Sequence, residues 1–503
     1  MAHPVRTKLR DPSLFKENAY IDGEWVPATS GQSFKVQNPA TDEVLGFCPE
    51  MSKKETDAAI DAAREAFQSF RNTSARQKAR LLRRWYDLVT ENADDLATLI
   101  TLENGKALSD AKIEVEYAAS FLEWFSDEAP RIYGDVIPAT VAGNQVLTIR
   151  EPVGVCGLIT PWNFPAAMVT RKAGAALAGG CSVVIKSPGE TPFTINAMVE
   201  LAHRAGIPHG LVNVVTALSN TVKVGRALTS SPLVRKISFT GSTRVGKILM
   251  QQCAETTLKK ISLELGGNAP FIVFEDADID AAVAGAISSK FRASGQTCVC
   301  PNRMFVHESV YDIFAAKLAA RVRSEFVVGN SLTTSGVTHG PLIHQAALQK
   351  VERHVKDAVS KGAKVLAGGS RLPHLGSNFF LPTVLSDMDD SMQLASEETF
   401  GPVAAVFRFK TEEEVIRRSN DTEVGLAGYF FSKDVHRVWR VAKALEVGMV
   451  GVNTGVISDP ATPFGGVKSS GFGREGSRYG IEEYLSMKMI AFGGNTTSLK
   501  GRL

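Results

Sequence analysis

Short apolar runs and amphipathic helical segments alternate along most of the chain. Four runs rich in valine, isoleucine and leucine are separated by helical segments such as 192–205 and 221–228; the runs are 153–159, 181–185, 211–215 and 234–239. A second series has strand-like runs at 271–274 and 303–307 and helical segments at 279–291 and 310–326. Strands that alternate with helices predict parallel sheets covered by helices on both faces. We therefore expect an α/β protein.

Length and charge narrow the possible partners. A chain of 503 residues is too long for one ordinary core, so two or three domains are expected. The formal charge is only +3 and no basic stripe is present, which gives no reason to expect nucleic acid. The longest nearly apolar run, 173–185, is too short to span a bilayer. It fits the end of a buried helix, a Gly-Gly turn and a buried strand, so no membrane partner is expected.

Cysteine usage and the N-terminus indicate the compartment. Six cysteines in this length do not form a disulfide framework, so a reducing environment is expected. Residues 1–10 carry three basic side chains but lack the apolar core of a secretory signal and the length of a mitochondrial presequence. We predict a cytoplasmic protein, with a processed mitochondrial form as the alternative. The histidines show no H-E-x-x-H spacing and no pair of Cys-x-x-Cys units occurs, so no metal site is expected.

One cysteine stands out as a nucleophile. Cys298 lies between small, polar, turn-forming residues, at the junction between a predicted helix and a predicted strand. Glu264, 34 positions upstream, is followed by two glycines, which suits a base on backbone that bends closely around a ligand. A cysteine without an obvious histidine partner and with a distant carboxylate argues against a cysteine protease. It favours chemistry through a thiohemiacetal and a thioester.

A second motif is a decoy. Residues 471–476 match G-x-G-x-x-G, but the segment follows Lys-Ser-Ser rather than a strand. A pyrophosphate-binding loop needs a strand before it and a helix after it. We therefore do not interpret this segment as a nucleotide site.

Three motifs together carry a family resemblance. They are Gly-Gln-Thr-Cys at 295–298, Glu-Leu-Gly-Gly at 264–267 and Pro-Trp-Asn-Phe-Pro at 161–165. In this order and spacing they resemble the aldehyde dehydrogenases, over about residues 20–484, and most of all those acting on succinate semialdehyde. The resemblance implies a Rossmann-like cofactor domain, an α/β catalytic domain and a small β oligomerisation arm. We expect the cofactor domain over 1–132 and 152–258, the catalytic domain over 259–480 and the arm over 133–151 and 481–503. The resemblance also implies a homotetramer or homodimer.

The resemblance assigns catalytic roles to three residues. Cys298 would attack the aldehyde carbon as a thiolate. Asn163 would stabilise the resulting oxyanion with its side-chain amide, together with the backbone N–H of Cys298. Glu264 would activate the water that hydrolyses the thioester.

The cofactor residues implied by the family follow the same logic. Ser242 follows a strand and opens a helix, where N–H groups and the helix dipole favour a pyrophosphate. The remaining assigned residues are Trp162, Lys186, Ser187 and Gly189 on the adenosine side, and Glu398 and Phe400 at the nicotinamide ribose.

Position 189 bears on the choice between NAD and NADP. NAD-preferring relatives often carry a glutamate three residues after the lysine, whereas Gly189 stands there in this chain. Loss of that carboxylate removes repulsion of a 2′-phosphate, which Lys186 with Ser182 or Ser187 could bind. We expect NADP to be preferred and NAD to be an alternative, because Glu190 could still reach the ribose.

The substrate is expected to be a small aldehyde with a carboxylate tail. Arg171, Arg292 and Ser458 match the positions at which succinate-semialdehyde enzymes hold the substrate carboxylate. Arginine pairs with carboxylates through two parallel hydrogen bonds and would aim the aldehyde at the nucleophile. If the substrate is succinate semialdehyde, breakdown of 4-aminobutyrate is the expected setting by analogy.

Two further features concern the loop of the nucleophile. Cys300 lies two residues after Cys298, and in some relatives this pair forms a reversible disulfide, although so short a separation strains the bond. Ala293 replaces an asparagine that is usual in the family, which places the local packing in question rather than the activity.

Other functions stay open. The chain could oxidise another acid semialdehyde, such as glutarate semialdehyde, or a broad range of aldehydes. A catalytically silent structural protein on the same fold and a cysteine hydrolase are further alternatives.

Overall fold

A computed structural model describes residues 3–493 of the chain. Four successive helices occupy residues 53–128, and from residue 155 onward helices mostly alternate with strands, as the sequence predicts. The α-helices are α1 (Lys53–Phe70), α2 (Ala75–Glu91), α3 (Ala93–Asn104), α4 (Leu108–Glu128), α5 (Pro165–Gly179), α6 (Pro192–Arg204), α7 (Thr221–Ser230), α8 (Thr243–Thr256), α9 (Ile279–Lys290), α10 (Tyr311–Glu325), α11 (Gln345–Ser360), α12 (Gln393–Ser396), α13 (Glu412–Asn420), α14 (Val435–Ala444) and α15 (Ser477–Glu482).

The strands are mostly short, between two and eight residues. They are β1 (Ala19–Ile21), β2 (Glu24–Val26), β3 (Ser33–Gln37), β4 (Val44–Pro49), β5 (Val136–Pro138), β6 (Gln145–Pro152), β7 (Val155–Ile159), β8 (Ser182–Lys186), β9 (Val212–Val215), β10 (Val234–Thr240), β11 (Lys260–Glu264), β12 (Ala269–Val273), β13 (Pro301–His307), β14 (Lys364–Ala367), β15 (Thr383–Met388), β16 (Val403–Phe409), β17 (Val424–Gly425), β18 (Ala427–Phe431), β19 (Met449–Val452), β20 (Val467–Lys468), β21 (Gly471–Phe472) and β22 (Leu485–Phe492).

The first large sheet has the strand order β2-β1-β9-β8-β7-β10-β11-β21. Its five central strands, β9 to β11 in that order, are parallel, and antiparallel strands close both edges. Every residue of β7 and β8 is buried, as expected of a parallel strand covered on both faces. The predicted run at 173–185 is the end of α5, a left-handed Gly180 and β8.

The second large sheet has the order β14-β15-β16-β13-β12-β18-β19, and only the β14–β15 pair is antiparallel. Side chains alternate between its two faces. Phe271 and Val273 of β12 belong to one buried apolar cluster, while Ile272 between them belongs to another. The α/β class and the parallel sheets predicted from the alternating pattern are confirmed.

A small three-stranded sheet joins distant parts of the chain. In the order β22-β6-β5, strand β22 pairs with β6 along its whole length in antiparallel register. The alternating segment before residue 152 and the C-terminal tail therefore pair with each other. The last part of the predicted arm, 494–503, lies outside the described residues.

Local signals also fold as expected at the start of α2. Ser74 caps the helix with reciprocal bonds to Gln77, which is the predicted capping box. Leu82, Trp85 and Val89 form its buried face. Across residues 3–493, none of the helices combines the length and the apolar character that a membrane crossing requires.

Candidate active site

A cavity of about 830 Å³ lies between the two large sheets and collects most of the residues singled out in the sequence. A cavity of this size can enclose a small ligand and part of a larger one. Its lining includes ten of the predicted site residues: Trp162, Asn163, Arg171, Ser242, Glu264, Arg292, Cys298, Glu398, Phe400 and Ser458.

The loop that carries Cys298 has an unusual backbone. It connects α9 to β13, and three successive residues, Ala293, Ser294 and Gly295, have left-handed φ angles of 50°, 53° and 71°. A Cβ at Gly295 would collide with the carbonyl oxygen of Gly401, so only glycine fits. The other two residues carry a cost of about 1–2 kcal/mol each. Such strain persists only where the surroundings fix the backbone, as they do around active sites.

The thiol of Cys298 lines the cavity, and the residue is only partly exposed. Burial raises the pKa of Cys298 to about 12. The carboxyl groups of Glu398 and Glu264 act in the same direction, whereas Arg171 acts to lower it. The resting nucleophile is therefore a protonated thiol that needs a proton acceptor before it can react.

Cys300 is buried behind the same loop. Its Sγ lies 2.9 Å from Thr297 Oγ1 and donates to the carbonyl oxygen of Lys290 at 3.4 Å. The thiol is thus used in holding the loop, and the possible disulfide with Cys298 stays a prediction.

Asn163 lies in the turn between β7 and α5. Its Nδ2 donates to the carbonyl oxygen of Gln296 at 3.0 Å, which ties this turn to the loop of Cys298. A side-chain amide carries two hydrogens, so one remains for an oxyanion formed at Cys298. The turn and the nucleophile loop are therefore joined in the way an oxyanion hole requires.

Glu264 ends β11 and is only 1% exposed. Among the described residues neither of its carboxyl oxygens has a hydrogen-bond partner. Burial, reinforced by Glu475, raises its pKa well above the usual range, against the opposing effect of Arg171 and Lys172. A buried carboxyl group with free oxygens and a raised pKa has the properties of a general base at a reaction centre.

The two predicted substrate arginines differ sharply. Arg171 is buried, and its Nε donates to Glu475 Oε2 at 2.5 Å. Glu475 also pairs with Lys172, and the two cations hold its pKa at about 2 although burial acts to raise it. Arg171 thus lines the cavity but is already engaged in a buried ion cluster.

Arg292 has no ion pair anywhere in residues 3–493. Its guanidinium carbon lies 5.4 Å from the centre of the Phe164 ring, and Ser458 lines the same part of the cavity. The guanidinium of Arg292 is therefore available to a ligand, whereas that of Arg171 is not, and the sequence could not distinguish the two.

The cofactor residues separate into two groups. Ser242, Glu398, Phe400 and Trp162 line the cavity. Ser242 caps α8 by accepting from Val245 N at 3.4 Å. The ring of Trp162 stands edge-on to that of Phe400, 5.6 Å away. Glu398 accepts from the backbone N–H of Gly267 at 3.3 Å, and burial raises its pKa to about 7.

Lys186, Ser187 and Gly189 lie beyond this lining, at and after the carboxyl end of β8. Burial lowers the pKa of Lys186 to about 8, while Glu190 and Glu50 act to raise it. The hydroxyl of Ser187 is buried without a partner in the part of the chain described.

The predicted role of Ser182 in binding a 2′-phosphate together with Lys186 is wrong. It is the first residue of β8 and Lys186 is the last, so the two are separated by roughly 13 Å along the strand. Ser182 is fully buried at the opposite edge of the sheet and cannot share a phosphate with Lys186.

These features fit a nicotinamide dinucleotide. Three features lie along the carboxyl edge of the first sheet. They are the helix N-terminus capped by Ser242, the buried hydroxyl of Ser187 beside Lys186, and the carboxyl group of Glu398 bound to the backbone of Gly267. Helix N-termini bind phosphate, and α/β sheets bind nucleotides at this edge.

Sequence reasoning missed a charged network on α4 and the segment before it. Lys106 Nζ donates to Asn163 O at 2.8 Å and pairs with Glu114, whose Oε1 accepts from Ala166 N at 3.0 Å. Asp110 Oδ2 accepts from the backbone N–H of Ala293 at 2.8 Å. The signal was a row of charges every four residues, at 106, 110 and 114, which places them on one face of a helix.

The decoy motif contributes Glu475 to the ion cluster, and its first strand, β21, pairs with β11, the strand that carries Glu264.

Comparison with known proteins identifies the family. The chain matches the aldehyde dehydrogenase family over residues 25–490, and it belongs to that family. It is 56% identical to a glutarate-semialdehyde dehydrogenase of Pseudomonas aeruginosa, over 97% of this chain and all of that one. It is 57% identical to an NADP⁺ succinate-semialdehyde dehydrogenase of Schizosaccharomyces pombe, over 97% and 98% of the two chains. A solved succinate-semialdehyde dehydrogenase of Burkholderia pseudomallei matches with a TM-score of 0.95 and 55% identity, over 97% and 100%. The predicted family and fold are confirmed.

Proposed function

We propose that this chain oxidises succinate semialdehyde to succinate, with NADP⁺ as the preferred oxidant and NAD⁺ as an alternative. The observation that carries the proposal is the guanidinium of Arg292, which has no ion pair within residues 3–493 and lines the same cavity as Cys298. A carboxylate bound there leaves the aldehyde end free to approach the thiol. The names of the similar proteins from Schizosaccharomyces pombe and Burkholderia pseudomallei support the same substrate.

The first chemical step forms a carbon–sulfur bond. The thiol of Cys298 gives its proton to a water molecule, which passes it to solvent, and Sγ attacks the aldehyde carbon, whose oxygen becomes an oxyanion. Asn163 Nδ2 and the backbone N–H of Cys298 donate to this oxygen. Because the site is buried, these dipoles stabilise the charge more than they would in water. When bound, the dinucleotide supplies a nicotinamide that accepts the hydride.

The second step returns the enzyme to its starting state. Loss of hydride leaves a thioester on Cys298. Glu264 takes a proton from water, and the resulting hydroxide adds to the thioester carbon. Sγ then leaves and takes that proton back from Glu264, which restores the thiol and releases the carboxylic acid. Both oxygens of Glu264 are free of other partners in the described chain, so the carboxylate can orient the water.

Several side chains would hold the cofactor. Ser242 and the start of α8 suit the pyrophosphate, and Glu398 with Phe400 suits the nicotinamide ribose. Lys186 and the free hydroxyl of Ser187 suit the adenosine end, where the absence of a side chain at Gly189 favours a 2′-phosphate.

Glutarate semialdehyde is the second candidate substrate. It is longer by one methylene, and the similar protein from Pseudomonas aeruginosa carries that name. One methylene is worth only about 1–3 kcal/mol of discrimination in an apolar pocket, so both can be substrates.

A substrate panel tests the proposal. The kcat/KM is measured for succinate semialdehyde, glutarate semialdehyde and the neutral aldehyde butanal, each with NADP⁺ and with NAD⁺. We expect succinate semialdehyde with NADP⁺ to give the highest value. A higher value for glutarate semialdehyde would favour the second candidate, and equal values for butanal would refute the carboxylate anchor. Absence of reduced cofactor with every aldehyde would restore the silent structural alternative.

The assembly and domain division belong to the same proposal. We infer a cofactor domain over 1–132 and 152–258, a catalytic domain over 259–480 and an oligomerisation arm over 133–151 and 481–503, in a cytoplasmic homotetramer or homodimer. Support for the arm comes from Val136, Met487 and Met489, which are exposed on the small sheet at 84%, 56% and 62%. Exposed apolar side chains in one sheet suit contact with another subunit. Light scattering coupled to gel filtration gives the subunit count.

A further inference from the structure

Asp110 lines the cavity beside the loop that carries Arg292, and the proposed chemistry gives it no role. It stands in the first turn of α4 and lines the cavity together with Arg292. Its Oδ2 accepts from the backbone N–H of Ala293 at 2.8 Å, so its carboxyl group is fixed next to the residue that carries the free guanidinium.

Two of the charged groups near the loop of Arg292 have no ion pair within the described residues. Lys106 is paired with Glu114 in a buried ion pair. Neither Asp110 nor Arg292 forms an ion pair with a residue of the range 3–493. The carboxylate of Asp110 and the guanidinium of Arg292 therefore share the cavity, and neither is neutralised by an ion pair in the described chain.

A carboxylate in this position opposes the binding of anions. Burial raises the pKa of Asp110, while the N–H of Ala293, the ammonium of Lys106 and the guanidinium of Arg292 favour its charged form. A negative charge in the same cavity reduces the attraction of Arg292 for a substrate carboxylate and for the dicarboxylate product.

We propose that Asp110 is a specificity-determining residue whose charge weakens the hold of Arg292 on anions, so that the dicarboxylate product can leave. The inference rests on the proposed function, because it requires an acid semialdehyde as the substrate. It gives Asp110 two separable properties: a hydrogen-bond acceptor for the loop and a charge for the substrate.

The variant Asp110→Asn separates these properties, because an amide oxygen still accepts from Ala293 N while the charge is lost. The matched control is Glu116→Gln, which removes the same charge from an exposed position on the same helix. The KM for succinate semialdehyde relative to that for butanal, and the inhibition constant of succinate, are measured for both variants and the wild type.

We expect Asp110→Asn to lower the KM ratio and the inhibition constant about three- to tenfold, which is the size of a partly screened charge interaction. Glu116→Gln should leave both within about twofold of the wild type. An unchanged or raised inhibition constant in Asp110→Asn, or an equal fall in the control, would overturn the proposal. A merely structural role for Asp110 would not tighten succinate binding.

Two further measurements keep the test decisive. If Asp110→Asn does not fold, Asp110→Ser supplies a smaller neutral acceptor, and the same fall is expected. In the background of Arg292→Ala the effect of Asp110→Asn should be smaller, because the substrate carboxylate is no longer held in the part of the cavity near Asp110. If the wild type shows no preference for acid semialdehydes, the proposed function is refuted. If the wild type shows that preference but Asp110→Asn leaves the KM ratio and the inhibition constant unchanged, only the inference about Asp110 is refuted.

Discussion

Replacing Arg292 by alanine should remove most of the preference for acid semialdehydes over neutral aldehydes. Arg292 is the cavity guanidinium without an ion pair in residues 3–493, so a bound carboxylate can use its full fork of N–H groups. Hydrogen bonds to charged groups contribute about 1.5–3 kcal/mol each. Because Arg292 is partly exposed to solvent, we take about 3 kcal/mol for the two hydrogen bonds together, or roughly a hundredfold in kcat/KM.

The assay is the appearance of reduced cofactor with succinate semialdehyde and with butanal, at saturating NADP⁺. We expect a loss of about a hundredfold on the acid and less than about threefold on butanal, because the neutral substrate has nothing for Arg292 to bind. Arg292→Lys keeps the charge but not the fork, and should recover part of the loss.

Arg171→Ala is the informative comparison. Removing Arg171 takes one of two cations away from the buried Glu475, and breaking such a buried pair costs about 3–5 kcal/mol. We expect a lower melting temperature and similar losses on both substrates. Equal losses on succinate semialdehyde and butanal in Arg292→Ala, with the selective loss appearing in Arg171→Ala instead, would refute the assignment of the anchor.

The remaining predictions concern the reaction centre, the cofactor and the loop. Glu264→Gln should form reduced cofactor in a single burst and then turn over at least a hundredfold more slowly than the wild type, because hydrolysis of the thioester lacks its base. The rate of deacylation in the wild type should rise with pH through the raised pKa of Glu264, and the variant should lose this rise. Steady turnover of the variant without a burst contradicts this. At alkaline pH, where the carboxyl group of wild-type Glu264 is charged, the same variant should alkylate faster at Cys298, because removal of the neighbouring negative charge lowers the thiol pKa; an unchanged pH profile contradicts it. Gly189→Glu alone should fold or bind cofactor poorly, because a Cβ there would lie 2.6 Å from Leu218 Cδ1. When Gly189→Glu is combined with Leu218→Ala, the ratio of kcat/KM with NAD⁺ to kcat/KM with NADP⁺ should rise. Equal ratios in the single and the double variant would show that Leu218 does not limit the effect of the glutamate. Ala293→Val should lower the free energy of unfolding by about 2 kcal/mol or more, since a β-branched residue tolerates left-handed backbone less than alanine does, and Ala293→Gly should not; urea titration distinguishes them.

The sequence predicted the residues whose signal is local. Cys298, Glu264 and Asn163 each stand within three residues of a glycine or proline, at the end of a strand or in a loop, and the structure brings all three to one cavity. The helices and strands predicted around them are present with ends shifted by one or two residues, because apolar periodicity identifies an element better than its boundary.

What the sequence could not give depends on contacts between distant segments. Asp110 meets Ala293 across 183 positions, and Arg171 meets Glu475 across 304. Nothing near Arg171 in the chain indicates that it is already paired. The misplaced Ser182 has a different cause, since proximity to Lys186 in sequence was taken for proximity in space along an extended strand.

The two ends of the cavity impose an orientation on the substrate. Burial raises the pKa values of Cys298, Glu264 and Glu398, so the reaction end favours the neutral form of every acid there. The same desolvation penalises a substrate carboxylate, which is directed to Arg292 at the other end. Oxidation then creates a second carboxylate where negative charge is disfavoured, and this destabilises the product relative to the aldehyde. Because Asp110 weakens the binding of the other carboxylate to Arg292, both carboxylates of the product are bound less favourably in the cavity than the aldehyde substrate was.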